Sequence, residues 1–530
     1  MRRQTAWPGV VSRFARGAGD LSLRRRWNAI RRSDWVRRVV CCTATVLMFA
    51  QQVVWVPLLK AADNPSVVAG AANIVQNGNT LNVTTKTDRT IINWDKFNIP
   101  QGNTANFFQP GANSAVLNRV VTNNNPSAIY GNLFSNGQVY LVNPSGIVVG
   151  PSGVINTNGF TASVLEISNR DFLNGNLHFQ GNSTAGVLNQ GKIFTGQGGA
   201  TLIGSQVINE GLIESNGGNI NLLTGGSVKL KAGGVYHQAD QATIAQGISE
   251  TAHLIRNSGT LRATGALEVG GEVYLVSPGG KVIQDAIAKA SKGSDGGKVV
   301  VDAGSGTATV TGQIDVSGAQ GGVASVTGQR VELSGAKINA SGSTGSGGTV
   351  KVGGGFQGSD PSVANSQATL VDAGTSISAN AGTSGDGGTV ILWSNGETQF
   401  FGSISATGSP IGQGGFVEVS GKETLGFSGD VNTGGGTLLL DPYNYVIDAT
   451  NVGVLTTALA SNNVRINTNN PSATGAGGVT GTDGGANGGN IEINAPVSWN
   501  SSRSLTLLAH RDIIFNASVQ NAGSGDLNVI

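Results

Sequence analysis

The sequence predicts an all-β fold, a parallel β-helix (β-solenoid), from two sets of repeats and the absence of a helical period. Gly-Gly pairs, each followed by a short strand, recur at Gly296-Gly297, Gly321-Gly322, Gly347-Gly348, Gly387-Gly388, Gly414-Gly415 and Gly435-Gly436. The steps are 25, 26, 40, 27 and 21 residues, and the long one carries an insertion around Phe356 to Ala368 that reads as a loop or an extra coil. Between the pairs runs a second strand: Gln313-Ile314-Asp315-Val316, Lys337-Ile338-Asn339-Ala340, Ser376-Ile377-Ser378-Ala379 and Ser403-Ile404-Ser405-Ala406. Apolar residues alternate in these runs and nowhere follow a 3.6-residue period. Most units are shorter than the roughly 40 residues of a propeller blade and lack its antiparallel hairpins.

Each unit thus supplies two or three strands and their turns, with alternate Val, Ile and Leu inward and glycine expected at positive-φ corners. No single coil can bury its apolar face, so stability must come from stacking. Roughly twenty coils over residues 63–530, at about 4.7–4.9 Å each, would make a rod on the order of 100 Å long. Eighty-two glycines and 12% charged residues could also signal disorder. The recurring runs Val299-Val300-Val301, Val350-Lys351-Val352 and Val417-Glu418-Val419 argue for strands instead. Upstream, Val187-Leu188-Asn189-Gln190-Gly191-Lys192-Ile193 returns 20 residues later as Val207-Ile208-Asn209-Glu210-Gly211-Leu212-Ile213.

Residues 1–62 read as an extended signal peptide. Eleven arginines and two acids precede the apolar run Val39 to Ala50, and Ala61 and Ala62 offer a cleavage region. The stretch Val39 to Leu59 is also long enough to span a bilayer, so an uncleaved anchor is the alternative fate. Removing the leader leaves 21 basic and 29 acidic residues, net about −8. That balance supplies no basic patch for nucleic acid. Both cysteines, Cys41 and Cys42, lie in the leader, so the exported chain would hold no disulfide.

Residues 66 to about 190 carry more aromatics and more varied turns. Ile91-Ile92-Asn93-Trp94-Asp95-Lys96-Phe97-Asn98-Ile99, Val116-Leu117-Asn118-Arg119-Val120 and Val139-Tyr140-Leu141-Val142-Asn143-Pro144-Ser145-Gly146-Ile147 occur in order. Ile155-Asn156-Thr157 and Phe160-Thr161-Ala162-Ser163 follow. Together these motifs resemble the N-terminal secretion domain of the filamentous haemagglutinin family, exoproteins of two-partner secretion. Two departures stand out: no Asn-Pro-Asn-Leu precedes Val116, and Ser145 stands where the best-known members have Asn.

The resemblance implies a right-handed β-helix with an N-terminal cap, passed across the outer membrane by a β-barrel transporter with POTRA domains. It marks Asn118, Arg119, Asn143, Pro144, Ser145 and Gly146 as the secretion motif. From the residues themselves, Asn143-Pro144-Ser145-Gly146 and Gly150-Pro151-Ser152-Gly153 suit type I turns and read as two tight corners of one coil. Whether they are turns only or also touch the transporter stays open at this point.

Catalytic signals are weak. Gly353-Gly354-Gly355-Phe356-Gln357-Gly358 fits a dinucleotide-loop pattern without its βαβ surroundings. His510-Arg511-Asp512 echoes a kinase loop but falls in Leu505 to Phe515, which alternates like a strand pair. His178, His237, His253 and His510 show no metal-ligand spacing, and no cofactor or metal is expected. Asp315, Glu332 and Glu418 read as solvated outward positions, so the chain is expected not to be an enzyme.

The expected organisation is a signal peptide (1–62), a capped secretion domain (63–250), Gly-rich repeats (251–440) and further strands (441–530) continuing past the last residue. The expected role is a secreted or surface-associated filamentous adhesin that binds a glycan or protein on a host or neighbouring cell. The alternatives are a carrier stalk for a C-terminal toxin and a β-helical carbohydrate-active enzyme.

Overall fold

The computed structural model describes residues 62–122, 124–230, 253–266, 270–468 and 489–530. Each regular coil has three short strands joined by tight corners. One coil runs through Gln138–Val142 on a first face, Ile147–Val149 on a second and the start of Val154–Ser163 on a third. Residues Gly159 to Ser163 of that last strand then lie in register on Gln138 to Val142, one rung on. Parallel stacking repeats this geometry, and the second face alone stacks eleven strands from Ser127–Ile129 to Thr424–Phe427.

Repeats seen in the sequence become rungs. Lys298, Val323, Thr349, Thr389, Phe416 and Thr437 pair in succession, so each Gly-Gly unit sits on the one before it. The 20-residue repeat is likewise in register, Val187 on Val207 and Asn189 on Asn209. Inward columns form the core: Val299, Ala324, Val350, Val390, Val417 and Leu438 on the first face, and Ile314, Ile338, Ile377, Ile404 and Val431 on the third. Burying one such side chain is worth about 1.5–3 kcal/mol, realised only when a neighbouring rung covers it.

The paired glycines act differently from the sequence expectation. Of the second glycines, none from Gly297 to Gly436 adopts a positive φ, and among the first only Gly435 does. A Cβ on Gly297, Gly322, Gly348, Gly388, Gly415 or Gly436 would instead fall inside 3.0 Å of the carbonyl oxygen of the glycine one rung earlier. Rungs approach too closely there for any side chain, so close packing of backbone, rather than chain reversal, requires the glycine.

On the second face one inward column changes chemistry along the rod. It reads Ile129, Val149, Asn189, Asn209, Asn257, Gln284, Val310, Leu333, Val371, Phe400 and Phe427. The four amides are fully buried and bond in series: Asn189 Nδ2 donates to Asn209 Oδ1 (2.7 Å), Asn209 Nδ2 to Asn257 Oδ1 (2.7 Å), and Asn257 Nδ2 to Gln284 Oε1 (2.9 Å). Further along, the rings of Phe400 and Phe427 stack at 5.8 Å.

The cap is antiparallel. Ser66–Ala69 pairs with Arg89–Trp94, and the hairpin Ala72–Asn77 with Thr80–Thr85 covers the start of the third face. These strands occupy the edge that a free first coil would offer to other chains.

Three features differ from the expected uniform coil. Among the described residues sixteen rungs stack on the first face, from Arg89–Trp94 to Leu527–Val529, rather than twenty. At about 4.7–4.9 Å per rung that is roughly 70 Å. Some of the chain departs from the stack in excursions. Residues between Ser163 and Gly186 leave the stack, and Leu177–Gln180 pairs antiparallel with Ser227–Leu230. Among the described residues two short α-helices also appear where no helical period was read, α1 (Asn169–Asn174) and α2 (Val452–Ser461). Six residues hold too few turns to print a period, and Ser168 at the N-cap with Gly175 (φ 77°) at the C-terminus define α1 instead.

Helix α2 stands where the third face should place a strand, between Asp430–Asn432 and Val497–Trp499. Its C-cap Asn462 repairs the interrupted ladder. Asn462 Nδ2 donates to Val431 O (2.8 Å), and Thr433 N donates to Asn462 Oδ1 (2.7 Å). A buried side-chain amide thereby replaces the peptide group of the missing strand.

Candidate functional site

The motif residues lie in the first three rungs and their corners. Trp94 and Asn118 are both fully buried, and Trp94 Nε1 donates to Asn118 Oδ1 (3.0 Å) while Asn118 Nδ2 donates to Tyr140 O (3.3 Å). Asn118 is thus a cross-rung staple of the first face. Its neighbour Arg119 reaches outward to the excursion that follows Ser163: Nε lies 3.1 Å from Glu166 Oε2, one terminal nitrogen donates to Asn169 Oδ1 (2.7 Å) and the other to Ile167 O.

Arg89 does the same from the rung before. It donates to Phe172 O (2.8 Å) and lies 5.4 Å over the Phe172 ring, which meets Tyr140 edge to face at 5.4 Å. Enclosure raises the Tyr140 phenol to about 12, with Arg89 opposing the shift. Two arginines therefore pin the segment holding α1 against the outer side of the first face.

Asn143, Pro144, Ser145 and Gly146 form the corner between the first and second faces. Gly146 N donates to Asn143 O (3.0 Å) and Ser145 N to Asn143 Oδ1 (2.9 Å), an Asx-stabilised turn. Asn143 is buried, and its Nδ2 ties the previous coil at Asn125 O (3.1 Å) and Ser127 Oγ (3.0 Å). Gly146 has φ 112°. The next rung attaches through Asn143 N, which donates to Ser163 O (3.0 Å), and the excursion that follows it through Ser183 Oγ, which donates to Pro144 O (2.6 Å). Ile147–Val149 follows, then the second turn, closed by Gly153 N donating to Gly150 O (2.8 Å). Within the two turns Pro144, Pro151 and Ser152 are the exposed residues.

Asn118 and Asn143 thus act inside the coil, Arg119 on its outside, and Pro144 at its tip. Ala62 opens a two-residue strand paired with Lys96–Phe97, while Ala61 lies outside the described residues. Sequence reasoning missed Arg89, Phe172 and the excursion they hold, because their contact joins residues 83 positions apart.

The three carboxylates fall on three different faces. Asp315 lies on the third and is buried rather than solvated as expected, with Lys289 Nζ donating to it (2.8 Å), and Glu332 lies on the second, paired with Arg330 (2.7 Å). Glu418 lies on the first and is fully buried, which corrects the expected solvated position. The Phe356 insertion folds over it: Gln357 N donates to both Glu418 oxygens (3.2 and 3.1 Å), and Gln357 Nε2 donates to Asp441 Oδ2 (2.8 Å). Burial and the nearby Asp441 push the Glu418 carboxyl up to about 8.

The glycines of the dinucleotide-like run belong to this covering loop, where Gly353 and Gly358 have positive φ. His510-Arg511-Asp512 forms a turn between Leu505–Leu508 and Ile513–Phe515. Those two strands sit in separate sheets of one coil rather than pairing with each other. Of the histidines, His237 lies outside the described residues, and His178 Nε2 is 2.9 Å from Ser227 Oγ. Among the described residues no three His, Cys, Asp or Glu side chains gather as a metal site.

A capped β-helix whose first coils fasten an extra-helical segment and present tight corner turns is the architecture of an exoprotein secretion domain. Residues 60–269 match the TPS secretion domain family. The crystal structure of the HMW1 secretion domain from Haemophilus influenzae is similar, with a TM-score of 0.63 and 32% identity, covering 72% of this chain and all of that one. A heme/hemopexin-binding protein of Haemophilus influenzae is 37% identical over 169 residues, 30% of this chain and 19% of that protein. A second protein of that name is 36% identical over 80 residues, 15% of this chain and 8% of its own length. The chain thus matches a fifth or less of these two relatives. It belongs to the family of two-partner secretion exoproteins and carries their secretion domain.

Proposed function

We propose that this chain is exported across the outer membrane by a partner β-barrel transporter whose POTRA domains receive the capped first coils, and that the later coils serve as a surface adhesin. The observation that carries the export reading is the Asn143 to Gly146 corner. It fastens three successive coils at one point yet leaves Pro144 exposed at its tip. A chain threaded outward in extended form can fold from such a staple, since each new rung needs a finished one to stack on.

The binding reading is supported by polar outward side chains repeated on successive rungs, such as Ser376, Ser403 and Asp430, since repeated weak contacts add up along stacked coils. Asp315, Glu332 and Glu418 lie on separate faces, and Glu418 with its neighbour Asp441 is buried under Gln357, which does not favour polysaccharide cleavage there. The heme/hemopexin-binding relatives align over too little of their length to carry their ligand to this chain.

Co-expression with its transporter tests export. Gly146→Val forces a β-branched side chain into φ 112° and should lower secreted protein at least fivefold. Asn143→Leu, which unties the coils without straining the backbone, should do likewise. Secretion of both variants at the wild-type level would remove the corner from the export step.

A further inference from the structure

The outer side of the third face is an open column of rungs until α2 replaces a strand. A helix with its side chains is about 10–12 Å across, whereas a rung occupies about 4.7–4.9 Å. Helix α2 therefore stands out from the face as a wall, and a groove of about 500 Å³ runs between it and the preceding rungs. That volume falls in the range of about 300–1,000 Å³ typical of small-ligand sites.

Its floor is two columns of outward side chains on three successive rungs, Ser376, Ser403 and Asp430 in one and Ser378, Ser405 and Asn432 in the other. Val454, Thr457 and Ala458 of α2 line the wall. Most of this polar lining is unengaged. Among the described residues the side chains of Ser376, Ser378, Ser403 and Asp430 bond to no other protein group, while Ser405 Oγ donates to Asn380 Oδ1 (2.7 Å). No Lys, Arg or His lines the groove.

We propose that this groove binds a neutral carbohydrate chain lying across the serine columns. Serine hydroxyls both donate and accept, the Asp430 carboxylate accepts from sugar hydroxyls, and the half-buried Val454 offers an apolar side chain to a ring face. A carboxylate with no cation beside it disfavours acidic sugars. The proposal rests on the reading that the later coils act by binding, and it is independent of how the chain is exported.

The secreted full chain is titrated with maltohexaose, cellohexaose and xylohexaose, and with hexagalacturonate as the acidic probe, by calorimetry and saturation-transfer NMR. At least one neutral hexasaccharide should bind with sub-millimolar to millimolar Kd, and hexagalacturonate at least tenfold more weakly. Ser403→Trp, which fills the groove from an exposed position, should weaken the neutral probe at least tenfold. Asp430→Lys should narrow or reverse the preference against the acidic probe. Unchanged far-UV dichroism and amide exchange at Ile404 would verify that the Trp variant is folded.

The proposal fails if no neutral probe binds, if hexagalacturonate binds the wild type better, or if a folded Ser403→Trp chain binds normally. A parallel cell-binding assay separates the two levels. Wild-type adhesion unaffected by Ser403→Trp refutes the groove alone, while no adhesion by the wild type refutes the broader reading.

Discussion

Replacing Asn209 alone should cost more stability than removing the whole amide column to which it belongs. Asn209→Leu takes away the acceptor for Asn189 Nδ2 and the donor to Asn257 Oδ1, both at 2.7 Å in a fully buried column. Asn189 Nδ2 keeps only a longer bond to Leu212 O (3.4 Å). Each stranded polar group costs about 1–3 kcal/mol. The added apolar burial returns about 1–2 kcal/mol, leaving a net loss of roughly 1–4 kcal/mol.

Changing Asn189, Asn209, Asn257 and Gln284 together to Leu strands no side-chain amide against another and leaves one backbone donor, Gly191 N, without its bond to Asn189 Oδ1 (3.2 Å). The same column already accepts Val149 below and Val310, Leu333 and Val371 above. The quadruple variant should lose no more than the single one. Solenoids unfold locally, so the assay is native-state amide exchange at Gly211 and Gly259, with urea unfolding for the global value. A quadruple loss near the sum of four single losses would refute this account of the column.

Asn462→Ala should destabilise the rungs beside α2 by about 2–4 kcal/mol, because Val431 O and Thr433 N lose their partner in a buried setting. Faster amide exchange at Thr433, with the far coils unchanged, would be its signature. Glu418 titrates near 8 when folded and near 4.5 otherwise, so the folded chain holds the extra proton between those values. Its stability contribution is complete below about pH 4.5 and declines by several kcal/mol as pH rises through about 8. Glu418→Gln should flatten that part of the profile and raise the urea midpoint at pH 8 but not at pH 4, whereas equal profiles would exclude Glu418 as the source. Gly388→Ala should cost more than Gly335→Ala in urea unfolding. The first clashes with Gly348 O at an ordinary φ, whereas the second has φ 68° and open space, a penalty of about 1 kcal/mol. The reverse order would restore backbone conformation as the reason for the paired glycines.

Local rules wrote much of this architecture into the sequence. The spacing of the Gly-Gly pairs equals the rung-to-rung register because each unit must return to the same face before it can stack. The corner at Asn143 to Gly146 is readable because turn chemistry is local, and the 20-residue return of the Val187 to Ile193 motif is the register in which Asn189 stacks on Asn209. Packing decided the rest. Glu418 occupies an outward position, which alternation reads as solvated, and only the fold of residues 356–367 across the first face buries it. Arg89 and Arg119 look like surface charges until the excursion with Phe172 closes on them. Helix α2 and its repair by Asn462 answer to a break in a ladder formed by residues about 30 positions away. Periodicity records which way each side chain points from its own strand; what later comes to lie over that side chain depends on segments distant in the chain, and only the tertiary structure brings them together.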